Sequence, residues 1–267
     1  MVLVYIKNII LKIYHKQSLL WLVSFIRKKK RQFQIELLSS TFEVTSIIHY
    51  DCNPHNQLTA LFDKYGSDKG SNFSSSNVYP FAPHSYSHYY YNLFKRSKES
   101  FRKVFECGIG TNNINIASNM GAKGKPGASL RAWRDFFPNA QIVGGDIDKQ
   151  VLFQEDRIST FFIDQTIPES ITRFWDNVIE DDFDLMIDDG LHTYEAGSTL
   201  FEYSFDKLKP DGIYVIEDVS FDDILKYEEF FKRVKSKVSV EYVRFYERNK
   251  KSNRNSIIVV SKVSHQV

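Results

Sequence analysis

The sequence predicts an α/β fold: a doubly wound, mostly parallel seven-stranded sheet with an antiparallel C-terminal hairpin and an N-terminal helical extension. From residue 102 onward, short apolar runs alternate with helical patterns, which is typical of βα units. Several of these runs end in carboxylates or glycines, and the last two follow each other without a helix between them. Five βα units followed by a hairpin account for the predicted sheet.

The 267 residues suffice for one α/β domain of ordinary size and an additional segment. Such a chain can bury a sizeable core without disulfides. We predict an N-terminal amphipathic, basic helical extension at 1–50, a helical cap or lid at 51–100, and the α/β domain that carries the functional site at 101–267.

The N-terminal segment is apolar but interrupted by charge. Its longest uncharged tract, 17–26, has ten residues, whereas a membrane-spanning helix needs about 20. On a helix, Lys7, Lys12 and Lys16 fall broadly on one side, and the basic run 27–31 follows. This pattern is typical of a helix that attaches to an anionic membrane surface, and it fits equally a helix packed on the domain or a flexible appendage.

The composition indicates the cellular compartment but says little about the reaction. A formal charge of +2, with basic residues spread along the chain, does not predict a nucleic-acid partner. Of the two cysteines, Cys52 and Cys107, the second lies in a predicted core strand, which favours a reducing, cytoplasmic setting. A peripheral position at the inner face of the membrane is expected if the basic helix attaches there.

The segment before the sheet is predicted to hold two helices, 58–65 and 86–94, joined by a long polar loop. Long loops with few apolar residues are often lids, so Lys69, His84 and Tyr86 are expected to face the ligand crevice. The alternative is that the tyrosines of the second helix form a core stripe, and for the tyrosines this alternative is favoured.

Each element from residue 102 onward has a local signal. Ser129 is the expected N-cap of one helix, Pro168 lies in the expected first turn of another, and residues 210–212 are the expected turn into the fifth strand. The predicted strands are 104–107, 141–146, 159–164, 183–189, 213–218, 238–246 and 256–263, and the predicted helices are 129–137, one opening at Pro168, 194–208 and 221–234.

The apolar run at 183–187 ends abruptly in Asp188, Asp189, Gly190 and, two positions later, His192. Such a run fits a parallel strand covered on both faces, and ligands of open α/β sheets bind beyond the carboxyl ends of the strands. These side chains are therefore expected in the ligand crevice. The alternative is that the aspartates cap the next helix and the histidine lies on its surface.

Glycines follow the first predicted strand at Gly108 and Gly110, where they allow a sharp turn and a close approach of the backbone to a ligand. A dinucleotide-binding fingerprint would need a third glycine at position 113, which is Asn113, and an acidic residue about 20 positions on. Asp146 lies much farther along. The glycines alone are therefore a weak signal.

A more specific signal is the carboxylate at the end of each of the first four strands. These residues are Glu106, Asp146, Asp164 and Asp188. Because the carboxyl ends of parallel strands meet at one edge of a sheet, all four are expected along the same crevice.

From 102 to about 263, the sequence resembles the class I S-adenosylmethionine-dependent methyltransferases. The resemblance implies that Glu106 and the two glycines flank the amino-acid part of the cofactor, that Asp146 holds the ribose hydroxyls, and that the residues after the third strand contact the adenine. The cofactor-binding candidates are Lys69, Glu106, Gly108, Gly110, Ser129, Asp146, Asp164, Gln165 and Asp188.

The segments 65–70, 127–133, 187–192 and 216–218 are similar to those of metal-dependent macrolide sugar O-methyltransferases. This narrower resemblance implies that Asp189 and Asp218 bind Mg²⁺ and that His192 is the general base, with Asp189 also part of the catalytic group. An imidazole titrates near neutrality, and a bound Mg²⁺ can lower the pKa of a hydroxyl and orient it. The sequence departs from the group's pattern at Leu191, where Ser is more common.

Other interpretations stay open at this stage. Asp218 could cap the helix that follows it, and His192 could be a surface histidine. A nicotinamide-dependent oxidoreductase is disfavoured by the missing third glycine and by the lack of a Tyr-x-x-x-Lys pair after the fourth strand. A non-catalytic nucleotide-binding module at a membrane surface is the third possibility. For a methyltransferase, the acceptor could be a sugar, a phosphorylated or nucleotide-linked glycan precursor, or another small polar metabolite.

Overall fold

A nine-stranded sheet forms the centre of the structure, a computed structural model that describes residues 46–50, 56–71, 83–178, 182–234, 238–247 and 256–262. The strands are β1 (Ser46–Tyr50), β2 (Lys103–Cys107), β3 (Gln141–Asp146), β4 (Gln154–Glu155), β5 (Ile158–Phe162), β6 (Phe183–Asp188), β7 (Leu208–Ile216), β8 (Val238–Glu247) and β9 (Ser256–Lys262). Their order across the sheet is β1-β8-β9-β7-β6-β2-β3-β5-β4.

The sheet confirms the predicted α/β class. All seven predicted strands are present, and β2, β3, β5, β6 and β7 run parallel. The C-terminal strand β9 is antiparallel to both β7 and β8. From β2 the chain proceeds outward through β3 and β5, and then returns to β6 on the other side of β2. The order therefore reverses between β2 and β6, which is where ligands of open α/β sheets bind.

Six α-helices cover the described sheet. They are α1 (Gln57–Tyr65), α2 (Ser87–Phe94), α3 (Ala128–Phe136), α4 (Pro168–Asn177), α5 (Tyr194–Ser204) and α6 (Phe221–Val234). Helix α1 packs against both α2 and α3, whereas α5 packs against α4 and α6. The two groups lie on opposite faces of the sheet, as the alternation of buried side chains along the strands requires.

The central strands are buried on both faces. Along β2, Val104 belongs to the core cluster that contains Trp133 of α3, whereas Phe105 packs on Phe174 of α4 with ring centroids 5.3 Å apart. Successive side chains of a strand point to opposite faces, so neighbouring residues enter different cores. Strand β6 is buried along its whole length, which explains why its sequence is an almost uninterrupted apolar run.

Three local predictions need correction. Ser129 is not the N-cap of α3: the helix begins at Ala128 after Gly127, whose φ of 73° is left-handed, and the Ser129 hydroxyl bonds to a strand residue instead. Residues 210–212 are not a turn before β7 but an irregular part of it, where the pairing with β6 changes register. Helix α5 ends at Ser204, earlier than expected, and a short 3₁₀ turn follows.

The predicted amphipathic helix and basic run fall in 1–45, which lies outside the described residues. Membrane attachment and a cytoplasmic setting therefore stay predictions. Strand β1, which pairs with β8, was not predicted and lies at the end of the segment assigned to the extension. Within the described ranges, no helix is long and apolar enough to cross a membrane.

The importance of the two-sided burial of β6 can be tested with a pair of leucines. Leu185 is fully buried in the sheet, whereas Leu225 on α6 is 41% exposed. We expect Leu185→Ala to lower the free energy of unfolding by about 2–5 kcal/mol because it leaves a core cavity. Leu225→Ala should change it by less than about 1 kcal/mol. Denaturant unfolding measures both, and equal losses would contradict the packing described here.

Candidate active site

A cleft of about 550 Å³ opens beyond the carboxyl ends of the parallel strands, at the reversal of strand order. Its lining includes residues that follow β2, β3, β5, β6 and β7. Among the predicted site residues, those that line the cleft are Lys69, Gly108, Gly110, Ser129, Asp146, Asp164, Gln165, Asp189, His192 and Asp218. The structure thus brings ten of the predicted residues to one cavity.

Gly108 allows the loops after β2 and β6 to pass in close contact. Its φ is 87°, and a Cβ at this position would lie 2.1 Å from the carbonyl oxygen of Asp189. The backbone N–H of Asp189 also donates to the carbonyl oxygen of Cys107 at 2.8 Å. A residue with a side chain at 108 would therefore push the two loops apart and displace Asp189.

Asp146 fixes the glycine loop against β3. Its carboxylate accepts the backbone N–H of Ile109 at 2.9 Å and that of Asp148 at 2.8 Å. Burial raises the pKa of Asp146, although these N–H groups oppose the increase. A carboxylate has more acceptor positions than the two used here, so Asp146 can still accept hydrogen bonds from a ligand in the cleft.

The loop after β5 is joined to the loop after β6 through Gln165. The Gln165 amide accepts the N–H of Leu191 at 2.8 Å and donates to Asp188 at 3.0 Å. Asp164 lines the cleft beside it and accepts from the hydroxyl and N–H of Thr166. Asp188 itself does not line the cleft. Burial raises its pKa to about 6, and it holds Gln165 in place. A contact of Asp188 with the cofactor stays a prediction.

Glu106 is also beneath the cleft and not in its lining. The residue is fully buried, and its two carboxylate oxygens accept from the Ser129 hydroxyl at 2.7 Å and the Trp133 indole at 2.6 Å. Burial raises its pKa to about 7, while Lys69 opposes the increase. Glu106 supports Ser129, which does line the cleft, and its contact with the cofactor stays a prediction.

Lys69 brings a buried positive charge to this group of acids. Its ammonium lies 2.5 Å from Asp189 and 3.7 Å from Glu106, and it also bonds to Glu217. Burial alone would lower the pKa of Lys69, but the three carboxylates outweigh burial and raise it well above the usual range. Lys69 was predicted to contact the cofactor. It lines the cleft as expected, but its ammonium is engaged by carboxylates.

Asp189, His192 and Asp218 form one cluster, which joins the predicted catalytic residues Asp189 and His192 to the predicted metal ligand Asp218. The His192 Nε2 atom lies 3.2 Å from Asp189 Oδ1, and its Nδ1 atom lies 3.8 Å from Asp218 Oδ2. His192 and Asp218 have φ values of 59° and 52°, a left-handed conformation that is uncommon for residues with side chains. Such strain persists only where the surrounding contacts maintain it, and it often occurs at functional sites.

The carboxylates determine the charge of His192. Burial disfavours its protonated form, but Asp189 and Asp218 outweigh burial and raise its pKa to about 9. Burial likewise opposes ionisation of Asp189 and Asp218. Their cationic neighbours outweigh it and hold the pKa of both carboxyls below the usual range. In this arrangement the two carboxylates favour the protonated form of His192.

Several groups of the cap segment contact the same acids. His84 Nδ1 lies 3.1 Å from Asp218 Oδ1, and the Tyr86 hydroxyl donates to that oxygen at 2.5 Å. The Tyr90 hydroxyl donates to Glu217 at 2.5 Å.

Glu217 was missed in the sequence, although it directly precedes Asp218 at the end of β7. Its position there was the only available signal, because its partners come from a distant segment.

The donor set fits a divalent cation. Ligand atoms of Asp189, His192 and Asp218 lie within 4.8 Å of one another, and within the described residues this is the group with metal-binding geometry. Carboxylate oxygens are the ligands that Mg²⁺ prefers. Five acids surround the lysine and two histidines of this site, and burial raises the pKa of Asp68, Glu106 and Glu217 among them. The acids are Asp68, Glu106, Asp189, Glu217 and Asp218.

No family model matches the chain. Over 162 residues it is 30% identical to the 8-demethyl-8-alpha-L-rhamnosyl tetracenomycin-C 2'-O-methyltransferase of Streptomyces olivaceus, covering 61% of this chain and 37% of that protein. Over 166 residues it is 34% identical to the demethylmacrocin O-methyltransferase of Streptomyces fradiae, covering 61% of this chain and 36% of that protein. The chain therefore spans little more than a third of the length of these relatives.

Solved structures of the MycE methyltransferase from the mycinamycin biosynthetic pathway have a similar fold. One, in complex with Mg and SAH, is 24% identical with a TM-score of 0.56, covering 80% of this chain and 56% of that chain. Another, which also contains mycinamycin VI, is 23% identical with a TM-score of 0.57, covering 79% and 56%. The chain thus shares the Rossmann-like fold of these methyltransferase structures. The chain is similar to sugar O-methyltransferases, as the sequence motifs predicted.

The buried ammonium of Lys69 provides a test of the site's construction. Lys69→Met would leave buried carboxylates uncompensated, and we expect it to lower the free energy of unfolding by about 3–5 kcal/mol. Lys64→Met is the control, because the Lys64 side chain is 60% exposed and pairs with Asp135 at the surface. It should have little effect. Denaturant unfolding at neutral pH compares the two, and similar losses would show that Lys69 is no more important than a surface lysine.

Proposed function

We propose that the chain is the methyl-transferring part of an S-adenosylmethionine-dependent O-methyltransferase that acts on a sugar hydroxyl of a small glycosylated molecule. The observation that carries the proposal is the cluster of Asp189, His192 and Asp218 in the same cleft as the glycine loop and Asp146. A hydroxyl group needs both deprotonation and alignment before it can accept a methyl group. The two halves of the cleft supply groups suited to these two tasks.

The cofactor would occupy the half of the cleft lined by the ends of β2, β3 and β5. S-adenosylmethionine supplies an electrophilic methyl group on a sulfonium. Gly108 and Gly110 line the part of the cleft proposed for its amino-acid part, with Ser129 nearby as a hydrogen-bonding group. Asp146 can accept hydrogen bonds from ribose hydroxyls, and Asp164 and Gln165 lie where the adenine would be held. Holding donor and acceptor in line can contribute about 7–11 kcal/mol to lowering the barrier.

His192 would take the proton of the acceptor hydroxyl. A general base must be unprotonated, whereas the two neighbouring carboxylates raise the pKa of His192 to about 9. A divalent cation on Asp189 and Asp218 would offset the field of these carboxylates, lower the pKa of His192 and favour the ionised acceptor oxygen. The raised pKa of His192 thus supports the inclusion of a cation in the proposed site.

The acceptor class is inferred from relatives. One relative is named as a 2'-O-methyltransferase of a rhamnosyl tetracenomycin and the other as a demethylmacrocin O-methyltransferase. Mycinamycin VI is bound in one of the similar structures. A phosphorylated or nucleotide-linked glycan precursor offers the same sugar hydroxyl and is the other acceptor to be screened. An NAD-type ligand has less support, because Asn113 stands where a dinucleotide fingerprint has its third glycine.

Cofactor binding can be tested without knowledge of the acceptor. We expect S-adenosylhomocysteine to bind in calorimetry and Asp146→Asn to weaken it by about 1.5–3 kcal/mol, because a charged hydrogen-bond acceptor is lost. Asp156→Asn is the control, since its side chain is 91% exposed, and it should bind normally. Binding of a nicotinamide dinucleotide in place of S-adenosylhomocysteine would refute the proposed function.

Catalysis can be tested once mass spectrometry has identified a glycosylated acceptor that gains a methyl group. General-base catalysis is typically worth about 10² to 10⁴ in rate, so His192→Ala should lower turnover by this factor and leave S-adenosylhomocysteine affinity nearly unchanged. His88→Ala on α2, outside the cleft lining, is the control. Chelation of divalent cations should slow the same step. Turnover that withstands both treatments would exclude the proposed roles of His192 and the cation.

A further inference from the structure

The two oxygens of the Asp218 carboxylate face different groups. Oδ1 is bonded by the Tyr86 hydroxyl at 2.5 Å and lies 3.1 Å from His84 Nδ1. Oδ2 faces His192, whose Nδ1 atom is 3.8 Å away. The groups at Oδ1 come from the cap segment, 132 residues earlier in the chain in the case of Tyr86. The orientation of a metal-ligand candidate after β7 therefore depends on two groups of the cap segment, one of them Tyr86 directly before α2.

We propose that Tyr86 is a positioning residue for the divalent cation: by binding Oδ1 of Asp218, its hydroxyl keeps Oδ2 directed toward Asp189 and His192. This inference deepens the proposed function and rests on the cation that it includes. Tyr86 itself does not touch the cofactor or the acceptor in this role. Its contribution acts through Asp218.

The surroundings of Tyr86 make its hydroxyl a fixed donor. The side chain is fully buried, and its ring packs on Phe245 and Tyr90 with centroid distances of 4.9 and 6.3 Å. Asp218 has a left-handed backbone with a φ of 52°. The hydrogen bond from Tyr86 helps to fix the direction of its side chain. Hydrogen bonds to a metal-ligating carboxylate orient the ligand, and their removal typically costs 10–100-fold in metal affinity.

A second tyrosine of α2 offers a matched control. The Tyr89 hydroxyl donates to Glu241 on β8 at 2.9 Å, and its ring also packs on Phe245, with a centroid distance of 6.1 Å. Tyr86→Phe and Tyr89→Phe therefore remove the same group, the first directly before α2 and the second within it. Each loses a hydrogen bond to a carboxylate. They differ in that Glu241 does not line the cleft, whereas Asp218 does.

The test is the affinity of the full chain for Mn²⁺, which shares the oxygen-ligand preference of Mg²⁺, measured by calorimetry for the wild type and both variants. We expect Tyr86→Phe to weaken Mn²⁺ binding about 10–100-fold and Tyr89→Phe to leave it within about 3-fold. S-adenosylhomocysteine affinity in the presence of chelator should be the same in all three proteins. Denaturant midpoints, measured in parallel, show whether either variant has a folding defect.

The outcomes separate the inference from the proposed function. If the wild type binds Mn²⁺ and S-adenosylhomocysteine but the two variants bind Mn²⁺ equally well, Tyr86 has only a packing role and the inference is overturned while the function stands. If the wild type binds S-adenosylhomocysteine but no Mn²⁺, the cation is absent from the mechanism and both the inference and that part of the function are overturned. A selective loss in Tyr86→Phe supports the inference.

Discussion

The buried ammonium of Lys69 is the interaction on which the functional end of the sheet depends. Glu106, Asp189 and Glu217 come from β2, from the loop after β6 and from the residue after β7, so adjacent parallel strands bring three acids together. Like charges at such separations in a poorly hydrated interior repel strongly. Burial raises the pKa of Glu106 and Glu217, and Lys69 opposes the increase in both. Lys69 keeps this density of carboxylates compatible with a folded, close-packed sheet.

The same arrangement explains why the cap and the sheet form one site. Lys69 lies in the loop after α1, and Tyr90 reaches Glu217 from α2, so groups outside the α/β units neutralise or bond the acids at the strand ends. The strained residue His192 lies among these contacts. A site is preorganised for catalysis when its charges and strained torsions are held rigidly. The free energy needed to place them is then supplied by folding and not during the reaction.

Much of the fold could be predicted because its signals are local. The apolar run of β6 reflects burial on both faces, and Pro168 marks the first turn of α4 as expected. The pairing of Lys69 with Glu217 could not be predicted, because it joins residues 148 positions apart through side-chain geometry. Ser129 was misassigned as a cap for the same reason: its hydroxyl bonds to Glu106, a partner that local sequence does not reveal. Tyr86 was expected in a core stripe, and its ring is in the core. The spacing of the tyrosines along the helix does not reveal that the Tyr86 hydroxyl donates to Asp218.

The packing of α1 and α2 also bears on how such a chain can be divided or recombined. Phe62 and Phe94 belong to the same core cluster as Trp133 of α3, with Phe62 and Trp133 ring centroids 4.9 Å apart. A gene fragment that began after α2 would encode β2 to β9 but lack β1 and leave this aromatic face in water. The smallest unit that evolution or an engineer could transplant intact therefore includes the two helices, even though they contribute nothing to the sheet.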